Sequence, residues 1–344
     1  MTRGDPFDVV GGFPVGRDGR VHTSFTHNPS TLRLSSANPN MQNLPRGNSG
    51  AGDIQRWVKE CFVAPKGRIF WARDYAAIEA RLVGYFAGSQ DFLRWANLGV
   101  HGLLASHILG QPADPAWSDT DLKAYFKEIK KLNPVMYDTA KRVVYLSLYM
   151  GTPAKMHHEY PKDFPTVKVA SRFQSLFFDL APEIKQWHKD LCIRVDGTKM
   201  REGEVNDPWS LGVCTVRNPF GYTHRFYNVL DWEKVGSQWV WSFGEDAKRL
   251  VSTLPQGTAA GIIKRSAREL WYNYPWVGET LRLLIHDEIF GECREEALEE
   301  CLQTSQDVME APVVELPLDP AWNMGTHLVV PTEAKVGRVW ADMH

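Results

Sequence analysis

Ile69-Phe70-Trp71-Ala72-Arg73-Asp74-Tyr75-Ala76-Ala77-Ile78-Glu79-Ala80-Arg81 runs from an apolar strand into a helix, with an aspartate at the junction. Ile78, Leu82 and Phe86 then fall near one helical face. Far downstream, His286-Asp287-Glu288 interrupts a second apolar stretch, between Leu283-Leu284-Ile285 and Ile289-Phe290. A carboxylate at the end or turn of a buried strand is costly unless it is paired or binds a metal. For a lone aspartate, a helix cap or a salt bridge explains the position equally well. Two of them, each breaking an apolar strand, are the minimum for a site that holds two metal ions roughly 3.5–4 Å apart and transfers phosphoryl groups. Mg²⁺ suits such a site, because it takes a few carboxylates plus substrate phosphates rather than a closed protein cage.

Outward from these strings the chain alternates between strand-like and helical blocks. Residues 1 to about 55, rich in Gly, Pro, Asn and Ser, read as loop with short extended pieces. Lys66-Gly67-Arg68 reads as a turn before the first apolar strand, and residues 121–150 as helix broken at Asn133-Pro134. A further amphipathic helix is expected over 167–195, and loop and strand over 197–243. A long helix from Gln256 to Tyr272, a strand–turn–strand around Asp287, a helix from Glu295 to Met309 and an irregular tail follow. No internal repeat is visible. Strands and separate helical blocks indicate an α+β fold rather than a doubly wound sheet.

With 344 residues, 43% hydrophobic and 23% charged, the chain has the composition of an ordinary globular protein with room for two or three subdomains. Its net charge of −2 argues mildly against a nucleic-acid protein but leaves room for a local basic groove. The five cysteines form no C-x-x-C pair, which speaks against a disulfide scaffold or a zinc ribbon and fits a reducing cytosol. No secretory h-region and no membrane-length apolar run is seen, so no membrane partner is expected.

Lys141, Tyr145 and Tyr149 recur every fourth residue and line one helical face. A lysine neutralises phosphate and an aromatic one turn later stacks on a base or sugar. The plainer reading of the spacing is an amphipathic helix with a snorkelling lysine.

Five segments in order then match a family. Arg33-Leu34-Ser35-Ser36-Ala37-Asn38-Pro39-Asn40-Met41-Gln42-Asn43-Leu44-Pro45 resembles a signature of family A DNA polymerases, the DNA polymerase I type. Asp74-Tyr75-x-x-Ile78-Glu79-x-Arg81 is similar to its motif A, and Lys141-x-x-x-Tyr145-x-x-x-Tyr149 to motif B on the fingers helix. Pro255-Gln256-Gly257-Thr258-Ala259-Ala260 resembles the start of a palm helix beside the primer-template, and His286-Asp287-Glu288 motif C. The resemblance covers roughly Val21 to the C-terminus. It implies a palm, an antiparallel sheet with helices, built from 1–90 and 246–344, and a mainly helical fingers subdomain over 91–245.

The resemblance also implies roles. Asp74, Asp287 and the backbone carbonyl of Tyr75 contact two Mg²⁺ ions, with Glu288 in support near the metals or primer end. Lys141 contacts the triphosphate of a dNTP, Tyr145 stacks near its sugar and base, and Tyr149 sits beside the templating base. Glu79 is a steric gate against the ribose 2′-hydroxyl. Arg33, Gln42, Asn43, Gln256 and His286 touch the primer-template backbone or minor-groove acceptors, which differ little between base pairs. His101 corresponds to a fingers histidine near the phosphates, a capping or packing histidine being the other reading. The implied reaction is attack of a primer 3′-hydroxyl on the α-phosphate, driven by positioning and charge neutralisation.

Several departures stand out. Tyr137 occupies the place of an arginine one turn before the lysine, so that phosphate contact is either missing or replaced by Arg142 or a nearby lysine. Leu146 stands where a glycine is usual, the usual Tyr-Gly pair is split as Tyr149-Met150-Gly151, and two polar motif A positions are Ala76 and Ala77. Tyr145, where many relatives carry Phe, implies good use of dideoxynucleotides. Family members carry a helical thumb, often with an exonuclease, before the Arg33 segment. A second polypeptide supplying the thumb, with or without an exonuclease, is therefore expected, in a bacterial or phage-infected cytoplasm, a truncated fragment being the alternative. The competing readings are a DNA-binding subunit that has lost nucleotide use, favoured by Tyr137 and Leu146, and a single-subunit RNA polymerase, which Glu79 opposes.

Overall fold

A computed structural model describes residues 9–10, 13–27, 31–44, 53–114, 116–195, 198–199, 214–236 and 238–343. Pro45 of the first signature and residues 200–213 of the stretch expected to be loop and strand lie outside them. The elements that position the site are, in chain order, β1 (Arg68–Tyr75), α1 (Ile78–Phe86), α2 (Val100–Ile108), α3 (Asp119–Leu132), α4 (Pro134–Leu148), α5 (Ala247–Asn273), β2 (Leu281–Ile285), β3 (Glu288–Arg294), α6 (Leu298–Met309) and β4 (Thr332–Gly337). The mixture of helices and antiparallel sheet is the α+β class that the sequence indicates.

The chain divides into two compact units. One comprises 1–78, 256–319 and 324–344, the other 79–255 and 320–323. The breaks fall at 78/79 and 255/256, so the helix after Asp74 belongs almost wholly to the second unit and the other break lies at Pro255, inside α5.

The first unit is built on a four-stranded antiparallel sheet in the order β2-β3-β1-β4. β1 is central, and its side chains alternate between two faces. On one face Phe70 and Ala72, with Phe290 of β3, pack against Met41, Trp340 and Met343. On the other, Trp71 is fully buried and its Nε1 donates to Thr280 Oγ1 at 3.2 Å. Gly291 lies opposite Trp71, and a Cβ there would meet the indole at 2.4 Å. Only a glycine admits the ring so close to the neighbouring backbone.

In the second unit the break expected at Asn133-Pro134 separates α3 from α4, with Pro134 opening α4, where its missing N–H costs nothing. Ser118 caps α3 by accepting from the Asp121 amide at 3.2 Å. Leu103, Leu122 and Phe126 form an apolar cluster joined by Trp95, Leu98 and Leu180. The single helix expected over 167–195 is two, Val167–Leu180 and Pro182–Ile193, because Pro182 cannot continue the first.

Two further expectations are corrected. The helix expected from Gln256 begins at Ala247 and runs through Pro255. The tail expected to be irregular contains β4, the edge strand hydrogen-bonded to β1.

Candidate active site

Asp74 is the penultimate residue of β1, and Asp287 lies in the two-residue turn joining β2 to β3. Ile285 and Glu288 close that turn, and His286 takes a positive φ of 56°, the left-handed geometry such tight hairpins require. The Tyr75 amide donates to the Asp287 carbonyl at 3.2 Å, which joins the two motifs at one end of the sheet. Tyr75 is held from behind. Its buried phenol bonds Ser266 Oγ at 2.8 Å and donates to Met309 O at 2.9 Å, and burial pushes its pKa up to about 12. Arg73 points the same way and donates to Ser305 Oγ, Thr332 Oγ1 and Leu302 O at 3.0, 2.9 and 2.8 Å. These anchors to α5, α6 and β4 fix the backbone that presents Asp74.

The register sets a row of carboxylates. Asp74 is the direct partner of Glu288 on β3 and of Glu333 on β4. Direct partners project to one face, and like charges there repel. Lys335 of β4 answers them, its Nζ 2.8 Å from Glu288 Oε2 and 3.6 Å from Asp74 Oδ2. Burial lowers the lysine pKa, but Glu288 and Asp74 more than offset this and raise it.

The donor set here is carboxylate oxygen. Among the described residues no group of three or more His, Cys, Asp or Glu side chains is arranged to enclose a metal. Two aspartates at neighbouring backbone positions, with no closed cage, fit an ion such as Mg²⁺ that keeps waters and completes its shell with substrate phosphates.

The second unit holds the residues expected to face a nucleotide. Lys141 and Tyr145 lie on α4 and Tyr149 caps its end. Tyr149 donates a hydrogen bond to the Glu79 carboxylate, bringing together two residues that the sequence picked out independently. The end of α4 closes with the Met150 amide on Ser147 O at 3.3 Å and the Gly151 amide on Leu146 O at 2.6 Å. This is a Schellman motif, whose left-handed position usually falls to glycine. Here Met150 occupies it, at φ 57°. Gly151 is needed for a different reason, since a Cβ there would lie 2.7 Å from Leu146 O.

His101 enters from α2 and is buried between Tyr145, with ring centroids 5.4 Å apart, and Tyr137, at 5.8 Å. Its Nε2 is buried with no hydrogen-bond partner among the described residues. Burial, then the charges of Lys141 and Lys130, push its pKa down to about 3, so the ring is neutral. Lys130, on α3, stands 5.5 Å over the Tyr137 ring. Arg142, by contrast, pairs with Asp163 and stacks on Tyr160 at 4.8 Å. Of the two replacements expected for the missing arginine, a lysine is the one beside Tyr137.

The residues expected to touch DNA are placed as follows. Arg33 is half-buried just before the strand Ser35–Ala37, Asn43 and His286 are exposed, and Gln256 is half-buried on α5. Glu288 is bound to Lys335. Gln42 is engaged within the chain: its Nε2 donates to Leu284 O at 2.8 Å and its Oε1 accepts from the Ser36 amide at 2.9 Å. It braces the signature loop against β2. Lys335, Glu333 and Lys130 are additions that sequence motifs did not point to; for the first two, only strand pairing brings them to Asp74.

A sequence model of DNA polymerase family A matches residues 13–206, more than half of the chain. The chain is 27% identical over 331 residues to the thermostable DNA polymerase I of Thermus filiformis, covering 95% of this chain and 33% of that protein. It is 27% identical over 335 residues to DNA polymerase I of Pseudomonas aeruginosa, covering 95% and 30%. The chain thus spans about a third of the length of these relatives. Among solved structures, the POL domain of Pol1 from M. smegmatis, in complex with DNA primer-template and dNTP, shares the fold with a TM-score of 0.64 and 20% identity. That match covers 96% of this chain and 49% of the other.

Proposed function

The chain belongs to DNA polymerase family A, and from that premise we propose that it is the catalytic core of a DNA-templated DNA polymerase adding dNTPs to a primer 3′-hydroxyl. The observation that carries the proposal is the junction of the two aspartate motifs by the Tyr75–Asp287 hydrogen bond. In this reading Asp74 and Asp287, with the Tyr75 carbonyl, hold two Mg²⁺ ions. Bound there, the ions neutralise phosphate charge and activate the attacking oxygen.

The remaining work falls to the chain's own side chains. Lys141 and Lys130 attract the triphosphate, and the neutral His101, its Nε2 buried, backs the Tyr137 and Tyr145 rings beside them. Tyr145 stacks on the sugar and base. Glu79, held by Tyr149, fills the space beside the sugar 2′ position and excludes ribonucleotides. Arg33, Asn43, Gln256 and His286 meet the primer-template, while Gln42 keeps the loop that carries Asn43 in place. Duplex affinity rests largely on phosphate contacts, and a chain of net charge −2 has little surplus positive charge for them. The reading therefore includes a second polypeptide that grips the duplex.

Primer extension with Mg²⁺ tests this, comparing dNTPs with rNTPs and the protein with Asp287→Ala, alone and with a thumb-bearing polypeptide. Extension with dNTPs that Asp287→Ala reduces by about 10³-fold or more is expected for loss of a metal-holding carboxylate. No extension under any condition, or an Asp287→Ala variant as active as the parent, overturns it and leaves a DNA-binding subunit.

A further inference from the structure

The lysine among the carboxylates has no place in the family motifs that mark this site. Glu288, Asp74 and Glu333 form a row across β3, β1 and β4, and Lys335 pairs with two of them. It is opposite Ala72, two residues before Asp74, so its stem runs along the sheet face to reach both carboxylates. The two contacts are unequal. The Glu288 contact, at 2.8 Å, is a full hydrogen bond; the Asp74 contact, at 3.6 Å, is a looser ion pair. Lysine carries a compact charge on four flexible carbons and shifts without moving its strand.

We propose that Lys335 is a positioning residue for the metal site: it neutralises Asp74 while no metal is bound, yields that carboxylate to an entering divalent ion, and stays on Glu288. This rests on the reading that Asp74 binds metal. Two consequences follow from the geometry. A divalent ion entering the protein alone must displace or tolerate a positive charge already on Asp74, so its affinity is low until nucleotide phosphates arrive with it. Glu288, kept by the stronger of the two contacts, is withheld from the ion, so the site remains open to substrate oxygens rather than closing into a cage.

The test is Mn²⁺ binding to the full chain, read by electron paramagnetic resonance without nucleotide or DNA, with folding checked by circular dichroism. Removing a cation from a partly exposed ion pair is expected to tighten binding about fivefold in Lys335→Gln. Lys335→Met, made alongside in case one variant fails to fold, carries the same expectation. Lys335→Arg, which keeps the charge, stays within about twofold of the parent. Asp74→Asn reports on the reading beneath. If Asp74→Asn weakens Mn²⁺ binding while the two neutral variants bind no tighter than the parent, the role of Lys335 is overturned and the metal site stands. If Asp74→Asn binds Mn²⁺ as the parent does, the site reading falls and the proposal falls with it.

Discussion

Tyr149 donates its phenolic proton to the carboxylate of Glu79, tying the cap of α4 to the first turn of α1. In the proposed function Glu79 excludes a ribose 2′-hydroxyl; a carboxylate with that task must itself be held still, and this bond holds it. Removing the bulk in Glu79→Ala is expected to raise rNTP use relative to dNTP use by about 10–200-fold, the range over which one small group in a pocket discriminates. Tyr149→Phe keeps the bulk but frees the carboxylate, so it is expected to fall between the parent and Glu79→Ala. Single-nucleotide incorporation with matched dNTP and rNTP measures both. If Tyr149→Phe discriminates as sharply as the parent, the hydrogen bond plays no part in the gate.

Much of this site is legible in the sequence because its carriers are local. Asp74 and Asp287 each interrupt an apolar run, and the α4 face repeats every fourth residue. Asn133-Pro134 marks its own helix break. What the sequence hides is non-local. β4 carries Glu333 and Lys335 on an edge strand, where charge protects against stray pairing and erases the alternation that marks a strand. Its partner β1 lies more than 250 residues upstream, so nothing near Lys335 announces Asp74. Pro255 misleads in the opposite way: it reads as a helix start, yet α5 already extends from Ala247. Tyr137 gives no sign that it sits between His101 and Lys130; that is settled by packing of three helices.

Met150 adopts a conformation that costs an L-residue about 1 kcal/mol or more, at the position of the cap that glycine favours. Met150→Gly removes the steric cost, although a glycine loses more freedom on folding. A net gain of up to about 1 kcal/mol is expected, with the Tyr149–Glu79 bond retained. Met150→Val, β-branched in a left-handed position, is expected to lose about 1–3 kcal/mol. Urea unfolding of the three proteins orders them, and a valine variant as stable as the glycine variant would refute the assignment of strain.

His101 makes stability sensitive to acid. Its pKa is held near 3 by burial and by Lys141 and Lys130, against 6.5 for a free histidine. His188, buried with Nε2 donating to Leu148 O at 2.9 Å, is pushed down to about 4. A histidine kept neutral by the fold binds fewer protons than in the unfolded chain. Its contribution is therefore complete above pH 6.5 and is lost progressively as pH falls toward the folded values. Between pH 6.5 and 5.0 each such group costs about 2 kcal/mol. His101→Gln, unable to titrate, is expected to lose about 2 kcal/mol less than the parent between pH 7 and 5 in nucleotide-free urea melts. Equal losses would mean that the imidazole is not held neutral.

At the far end of the same sheet face from Asp74, Glu292 is 1% exposed and accepts from Arg20 at 2.7 and 3.1 Å and from Arg68. Burial alone would raise its pKa, but the two guanidinium groups outweigh burial and lower it. The carboxylate thus stabilises the fold above its unfolded pKa of 4.5, and that contribution disappears as pH falls through the folded value. Glu292→Gln leaves two arginines facing a neutral amide. Taking one partner from a buried pair costs about 3–5 kcal/mol. Because the Arg20 side chain is 41% exposed and is resolvated when released, about 3 kcal/mol at pH 7 is expected. Arg20→Ala leaves Arg68 in place and is expected to cost about 1 kcal/mol. In urea melts at pH 7 the glutamine variant should be the less stable of the two. As the pH is taken below 4.5 toward the lowered folded value, the gap between parent and Glu292→Gln should narrow. A gap that stays the same would show that packing, rather than the charge of Glu292, secures the strand end.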